Sequence, residues 1–171
     1  GAEQTTTLSG TAEANSSVSL TLGGETKSLT ADADGAWSYD LTAADVTAMG
    51  EGTEEITITA TDAAGNTSTA TTKAITVDTV APTAPTIADV TADNVINSAE
   101  QTTTLSGTAE AGAAVTLSLG GLTKALTADA NGAWSYDLTA ADVTAMGEGA
   151  EDITITATDA AGNASTTTTK A

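Results

Sequence analysis

Cysteine, histidine, phenylalanine and arginine are all missing from this 171-residue chain. Without cysteine or histidine there is no disulfide framework, no thiolate or imidazole metal site, and no Ser-His or Cys-His nucleophile pair. Positive charge is scarce as well. Four lysines stand against 23 acidic residues, giving a formal net charge of −19. Such a chain repels a phosphate backbone, so nucleic acid is not an expected partner. No apolar run approaches the roughly 18–20 residues that span a bilayer, and the first residues carry no signal-peptide pattern, so membrane insertion is not expected. Aromatic residues make up 2% of the chain, and much of its 40% hydrophobic content is alanine. Any core must be small and thin.

The sequence does contain a long internal repeat. Residues 2–14 return letter for letter at 99–111, an offset of 97, and over 1–74 against 98–171 the two copies agree at 61 of 74 positions. Trp37 pairs with Trp134, Tyr39 with Tyr136, and Lys73 with Lys170. A period of 97 is too long for a solenoid unit and suits a small domain. Residues 75–97 occur once and hold both prolines, Pro82 and Pro85. Proline stiffens a connection and pushes the residue before it towards extended geometry. The expected division is a first repeat at 1–78, a linker at 79–83, and a second repeat at 84–171. The first copy lacks a counterpart of residues 81–97, and the second ends before its counterpart of residues 75–78. The chain therefore reads as part of a longer array, the first repeat being without its first strand.

Within each copy the strand signal is alternation. Val18, Leu20 and Leu22 alternate with Ser19 and Thr21; Trp37, Tyr39 and Leu41 with Ser38 and Asp40; Ile56 and Ile58 with Thr57 and Thr59. One face is buried and the other is wetted by hydroxyls, as an antiparallel sheet with a solvated side requires. In the second copy the pattern predicts strands near 86–91, 103–109, 114–119, 122–127, 133–138, 152–158 and 164–171. Gly120-Gly121, Asn131-Gly132 and Ala161-Gly162-Asn163 mark turns. One short helix is expected over 139–147, ending at Gly147. The fold class is all-β: two tandem immunoglobulin-like β-sandwich domains of about seven strands each, joined end to end by a short Pro-containing linker.

Four motifs in order carry a family resemblance. They are Asp78-Thr79 before Ala81-Pro82, Gly107-Thr108-Ala109-Glu110-Ala111-Gly112, Ala128-Asp129-Ala130-Asn131-Gly132-Ala133-Trp134, and Thr158-Asp159-Ala160-Ala161-Gly162-Asn163. Together they resemble the bacterial Ig-like repeats of giant adhesins of the biofilm-associated and repeats-in-toxin type, exported by type I secretion. The resemblance covers essentially the whole chain. It implies extender modules strung in arrays at the bacterial cell surface, with calcium held at or near the domain junctions.

In a sandwich of this strand order, loops alternate between the two ends. The loop near 109–113 and the turns near 129–132 and 159–163 should share the end facing the incoming linker, bringing Glu110, Asp129, Asn131, Asp159 and Asn163 beside Asp78. Calcium is a hard cation that takes six to eight oxygen ligands, and carboxylates, Asn amides and loop carbonyls supply them. The candidate metal ligands are Asp78, Glu110 and Asp159 with Asn163, and Glu13, Asp62 and Asn66 in the first copy. The competing reading is that Asp-Ala-Asn-Gly and Asp-Ala-Ala-Gly-Asn are ordinary turns, in which Asp and Asn bond their own backbone. That reading alone accounts for Asp129 and Asn131. A weaker oxygen-rich run, Asp89, Asp93, Asn94, Asn97 and Glu100, belongs to the opposite end and lacks the glycine of an EF-hand loop.

Paired acids such as Glu54-Glu55 and Glu151-Asp152 cannot serve as a glycosidase pair, because neighbours on a strand point to opposite faces. An enzyme with a small-molecule substrate is not expected. The aromatic pairs read as core, and the four lysines as solvated or sparingly paired. The functional expectation is a structural spacer of a secreted, cell-surface adhesin. Its partners are neighbouring repeats of the same chain and calcium, and it projects a distal binding domain for adhesion or biofilm formation. The alternative is a module for carbohydrate or ice that uses the hydroxyl rows Thr57, Thr59, Thr61 and Thr154, Thr156, Thr158. A third reading takes the acidity as adaptation to a salt-rich habitat.

Overall fold

The computed structural model describes residues 6–97 and 99–171, and the chain divides into two compact units, Gly1–Thr79 and Val80–Ala171. Unit 1 runs β1 (Thr7–Thr11), β2 (Ser17–Leu22), β3 (Glu25–Thr30), β4 (Ala36–Asp40), α1 (Ala43–Met49), β5 (Gly52–Thr61) and β6 (Thr71–Val77). Unit 2 repeats the order: β7 (Thr104–Thr108), β8 (Ala114–Leu119), β9 (Leu122–Thr127), β10 (Ala133–Asp137), α2 (Ala140–Met146), β11 (Ile153–Thr158) and β12 (Thr168–Lys170). Each unit has a two-stranded sheet, β1–β4 or β7–β10, and a four-stranded sheet, β3–β2–β5–β6 or β9–β8–β11–β12. Every pairing is antiparallel. This is the all-β, tandem Ig-like architecture that the alternating pattern predicts.

Period-two alternation fixes which face is buried. On β8, Val115, Leu117 and Leu119 are buried, and from the other sheet Leu105 and Trp134 join them in one core with Ile153 and Ile155. On β2 the equivalents Val18, Leu20 and Leu22 are buried, but the core of unit 1 separates into two smaller clusters, one around Leu20, Leu22 and Ile56 and one around Val18 and Trp37. The β2–β3 and β8–β9 hairpins turn on Gly23-Gly24 and Gly120-Gly121, where φ is positive at both central residues (54° and 76°; 51° and 73°). That is the hairpin turn whose twist matches the strands, and glycine takes it without steric cost. The helices lie where expected, capped at Thr42 and Thr139 and stopped at Gly50 and Gly147.

Of the seven strands expected in the second copy, that at 86–91 does not form a regular strand, leaving six, and that at 164–171 is shorter than the pattern suggests. Residues 86–91 lie along β7, where the Thr86 and Ala88 N–H groups donate to the carbonyls of Thr108 (2.7 Å) and Ser106 (2.8 Å). The next rung is lost because the Val90 N–H turns to the Asn94 side chain instead (3.1 Å). Residues 164–171 give regular pairing only at Thr168–Lys170. Upstream, the Ala157 N–H donates to Ser165 Oγ (3.0 Å), so a side chain replaces a backbone acceptor in the ladder.

The two copies differ at one buried position. Ser16 is 3% exposed, and its hydroxyl has no hydrogen-bond partner among the described residues, whereas Ala113 takes this place in unit 2. An unsatisfied buried polar group costs about 1–3 kcal/mol. Ser16→Ala should therefore stabilise unit 1 by about 1 kcal/mol in denaturant unfolding; a loss of stability would show that the hydroxyl has a role the fold does not reveal.

Candidate functional site

Register places the acidic turns within each unit. In unit 2, Ala114 at the start of β8 lies opposite both Thr127, at the end of β9, and Thr158, at the end of β11. The 109–113 loop and the turns after β9 and β11 therefore emerge at one end. The first two are tied directly: Ala109 N–H donates to Gly132 O (2.8 Å) and Gly112 N–H to Ala128 O (3.2 Å). Thr86, bonded to Thr108 at the end of β7, brings the chain into unit 2 at this same end. In unit 1, Ser17 lies opposite Thr30 and Thr61, so the turns carrying Glu13, Asp32 and Asp62 share the corresponding end. The expected grouping of loops is thus present inside each unit. Asp78 follows β6, is exposed, and belongs to unit 1.

The turn aspartates are committed locally. Asp62 Oδ1 accepts from the Ala64 and Asn66 N–H groups (2.9 and 2.8 Å), and its Oδ2 accepts from Asn66 Nδ2 (2.7 Å). These bonds, led by that from the Asn66 side chain, hold its carboxyl below the usual carboxylate range. Asp159 repeats the pattern with Asn163, accepting from its N–H (2.8 Å) and its Nδ2 (2.9 Å). Desolvation pushes the Asp159 carboxyl up, and the Asn163 hydrogen bonds with those of Ala161 and Gly162 outweigh it, so the net direction is downward. A carboxylate offers about four lone-pair sites. Three are used at Asp62, which leaves about one on Oδ2 for a cation. Asn66 presents its amide nitrogen to Asp62, and its side-chain oxygen is not used in that bond. Asn163 is 4% exposed.

Glu13 and Glu110 are exposed on their loops. Asp129 spends Oδ1 on the Asn131 and Ala133 N–H groups (2.8 and 2.9 Å), as a turn residue does. Among the described residues no three acidic side chains form a ready-made metal cluster. The donors fit calcium in kind, all being oxygen, without being gathered in advance. At the opposite end, Asp93 accepts from Thr91 Oγ1 and the Val95 N–H, Asn97 Oδ1 from the Ala99 N–H, and Asp89 pairs with Lys170 (2.7 Å). The rows Thr57, Thr59, Thr61 and Thr154, Thr156, Thr158 lie on the outer faces of β5 and β11. In unit 1 they stand opposite Thr21, Ser19 and Ser17; in unit 2, Ala114 breaks the row beside Thr158.

Sequence reasoning missed one constellation per unit. The expectation that the lysines are solvated or sparingly paired fails at Lys27 and Lys124, which form ion pairs with the buried Asp45 (2.9 Å) and Asp142 (2.7 Å). Asp142 is 1% exposed. Its Oδ2 accepts from Tyr136 Oη (2.7 Å), the Thr139 N–H (3.0 Å) and Thr139 Oγ1 (2.7 Å), while its own N–H donates back to Thr139 Oγ1 (3.2 Å). The Lys124 hydrogen bond is the largest influence on Asp142 and, with the hydroxyl and N–H donors, holds its carboxyl far below the ordinary range despite desolvation. At Asp45, desolvation is the largest single influence and is outweighed by Thr42, Lys27 and Tyr39 together. Thr-Ala-Ala-Asp is a capping box legible in the sequence. That the aspartate at the third position of the first helical turn also collects a tyrosine and a lysine from two strands is a matter of packing. These carboxylates are saturated and enclosed, so they serve the fold.

A family model described as bacterial Ig-like domain matches residues 2–79, and one described as bacterial Ig domain matches residues 81–171. Among solved structures, a Ca2+-stabilised adhesin that helps an Antarctic bacterium reach out and bind ice is 38% identical over 98% of this chain, with a TM-score of 0.54. A 1.5-MDa bacterial ice-binding adhesin studied for its retention at the host cell surface is 33% identical over 98% of this chain, with a TM-score of 0.50. The chain spans 43% and 56% of those two structures respectively. No curated protein matches it.

Proposed function

The chain belongs to the bacterial Ig-like domain family, and from that premise we propose that it is a spacer in the extender region of a secreted bacterial cell-surface adhesin, stiffened by calcium. In this reading Asp78, Glu110 and Asp159, with Asn163, hold calcium where unit 1 passes into unit 2. Glu13 and Asp62 belong to the corresponding end of unit 1. The observation that carries the reading is the common end of the three turns in unit 2, which puts Glu110 and Asp159 on the side where the chain enters. Calcium would neutralise carboxylates that otherwise repel in a chain of net charge −19. The similarity to an adhesin that is itself Ca2+-stabilised supports the choice of ion. A spacer of this kind acts by length and stiffness, projecting a distal binding domain from the cell.

The hydroxyl faces favour this reading over a carbohydrate or ice platform. Thr21 and Thr26, and Thr61 and Thr67, bond one another (3.1 Å each), and the row is interrupted by alanine in the second copy. The stiffening is tested by the distribution of distances between one label in each unit. Calcium should narrow that distribution relative to EDTA, and Asp159→Ala should restore the broad one. Equal widths in calcium and EDTA would remove the stiffening role.

A further inference from the structure

We propose that Asn131–Gly132 is a self-modifying site, at which the Asn131 side chain closes on the Gly132 nitrogen and loses ammonia, and that the folded turn holds this reaction off. Of the six asparagines in the chain, Asn131 alone precedes a glycine. Glycine matters because it has no side chain to block approach to its own nitrogen. The Asn131 side chain is exposed and makes no hydrogen bond among the described residues, so the group that is attacked is free.

The attacking nitrogen is not free. Gly132 is buried, and its N–H donates to Asp129 O (2.9 Å). Its carbonyl accepts from the Ala109 N–H (2.8 Å), and its φ is 80°. A Cβ there would sit 2.5 Å from Ala109 O, so this glycine is pressed against the 109–113 loop. On the other flank, the Asn131 N–H donates to Asp129 Oδ1 (2.8 Å), which also takes the Ala133 N–H (2.9 Å). To reach Asn131 Cγ, the Gly132 nitrogen must give up Asp129 and turn. The reaction therefore passes through an opened turn.

Water is the one co-reactant. The Gly132 nitrogen bonds to Asn131 Cγ, the Cγ–Nδ2 bond breaks, and the Gly132 proton leaves on the ammonia, relayed by water. A second water opens the cyclic imide at either carbonyl. One opening gives aspartate in a normal backbone. The other gives isoaspartate, in which the main chain runs through the former side chain.

Unit 1 shows how the two products fare, since it carries Asp34-Gly35 at the 97-residue offset. Its turn keeps the same bonds. Gly35 N–H donates to Asp32 O (3.0 Å), Asp34 and Ala36 N–H to Asp32 Oδ1 (2.9 and 2.8 Å), and Ala12 N–H to Gly35 O (2.8 Å). Aspartate at 131 therefore leaves the turn intact and adds one negative charge. Isoaspartate lengthens the main chain by a methylene, just before a glycine that has no space against Ala109 O. The bonds to Asp129 and Ala109 cannot all survive that shift. Because the turn joins β9 to β10, one strand from each sheet, this product weakens unit 2. The inference is independent of calcium.

The test incubates the full chain and a peptide of residues 127–135 side by side at neutral pH. Conversion at Asn131 is followed by peptide mapping with mass spectrometry, with isoaspartate scored separately. The folded chain should convert at least about tenfold more slowly than the peptide, and the slowing should match the protection of the Gly132 amide against hydrogen exchange, since both need the same opening. Asp129→Ala, with its fold checked by the tryptophan signals, should bring the rate back towards that of the peptide. The comparison with Gly132 exchange needs no variant. Equal rates in chain and peptide, a slowing unrelated to Gly132 protection, or a peptide that does not convert would overturn the proposal.

Discussion

Replacing Asp142 by alanine is expected to destabilise unit 2 by about 3 kcal/mol, and Asp45→Ala to do the same to unit 1, because each substitution removes a buried acceptor of several charge-assisted hydrogen bonds. The argument rests on how much each carboxylate holds. One oxygen of Asp142 takes three hydrogen bonds, from Tyr136 and Thr139, and the other takes the Lys124 ammonium. Tyr136 comes from β10, Lys124 from β9, and Thr139 caps α2, so one side chain ties both sheets to the helix. Alanine leaves the tyrosine hydroxyl and the capping N–H without their acceptor. The same carboxylates give the pH dependence its sign. Their folded pKa values are depressed, so their contribution is complete above the unfolded carboxylate value of about 4 and is lost as pH falls below it. Protonation of exposed acids acts in the opposite sense by relieving the net charge of −19. Stability measured against pH should therefore fall steeply below about pH 4, and the fall should be shallower in Asp45→Asn/Asp142→Asn. An unchanged acid limb in that double variant would contradict this account.

Gly107→Ala is the second large effect. A Cβ at this position would sit 1.9 Å from the Thr86 carbonyl oxygen and 2.9 Å from the Trp134 ring. Backbone cannot yield at that distance, so the segment at 86–88 must lift from β7, giving up two ladder bonds, the indole bond and the burial of Ile87. A cost of about 3 kcal/mol follows from overpacking and the lost bonds together. Gly10→Ala supplies the internal comparison. There the added atom meets only the Trp37 ring, at 2.6 Å. That side chain lies at an uncovered edge and can shift, so about 1 kcal/mol is expected. Since each unit has one tryptophan, indole signals report the two unfolding transitions separately. Equal costs for the two substitutions would mean that the 86–88 segment contributes little to unit 2.

Much of this architecture is legible in the residues because the signals are local. Alternation at Val115, Leu117 and Leu119 marks a strand and its buried face together. Thr139 and Gly147 bracket a helix, and Gly-Gly fixes a hairpin. What alternation does not convey is where side chains replace backbone in the ladder. Asn94 takes the Val90 N–H and Ser165 takes that of Ala157, and so the strand expected at 86–91 does not form and that at 164–171 is cut short. The Lys124–Tyr136–Asp142 constellation was hidden for a related reason. Its members come from two strands and a helix, and only the tertiary fold brings a lysine of an exposed-looking hairpin onto a buried acid. For the candidate calcium ligands, the sequence correctly groups the turns of each unit at one end. The competing reading, in which Asp62 and Asp159 bond the backbone of their own turns, is equally legible there, and the structure shows those bonds.

The calcium-stiffened spacer is tested most directly by thermal melts of this chain in EDTA, in millimolar calcium, and in sodium chloride of matched ionic strength. A ligand that binds only the folded state adds about 2.7 kcal/mol at a hundredfold excess over its dissociation constant. The account predicts a clear rise in midpoint with calcium alone, largely abolished by Asp78→Ala and by Asp159→Ala. Equal midpoints in calcium and sodium chloride would contradict it, leaving the acidic turns as turns and the charge as an adaptation to salt.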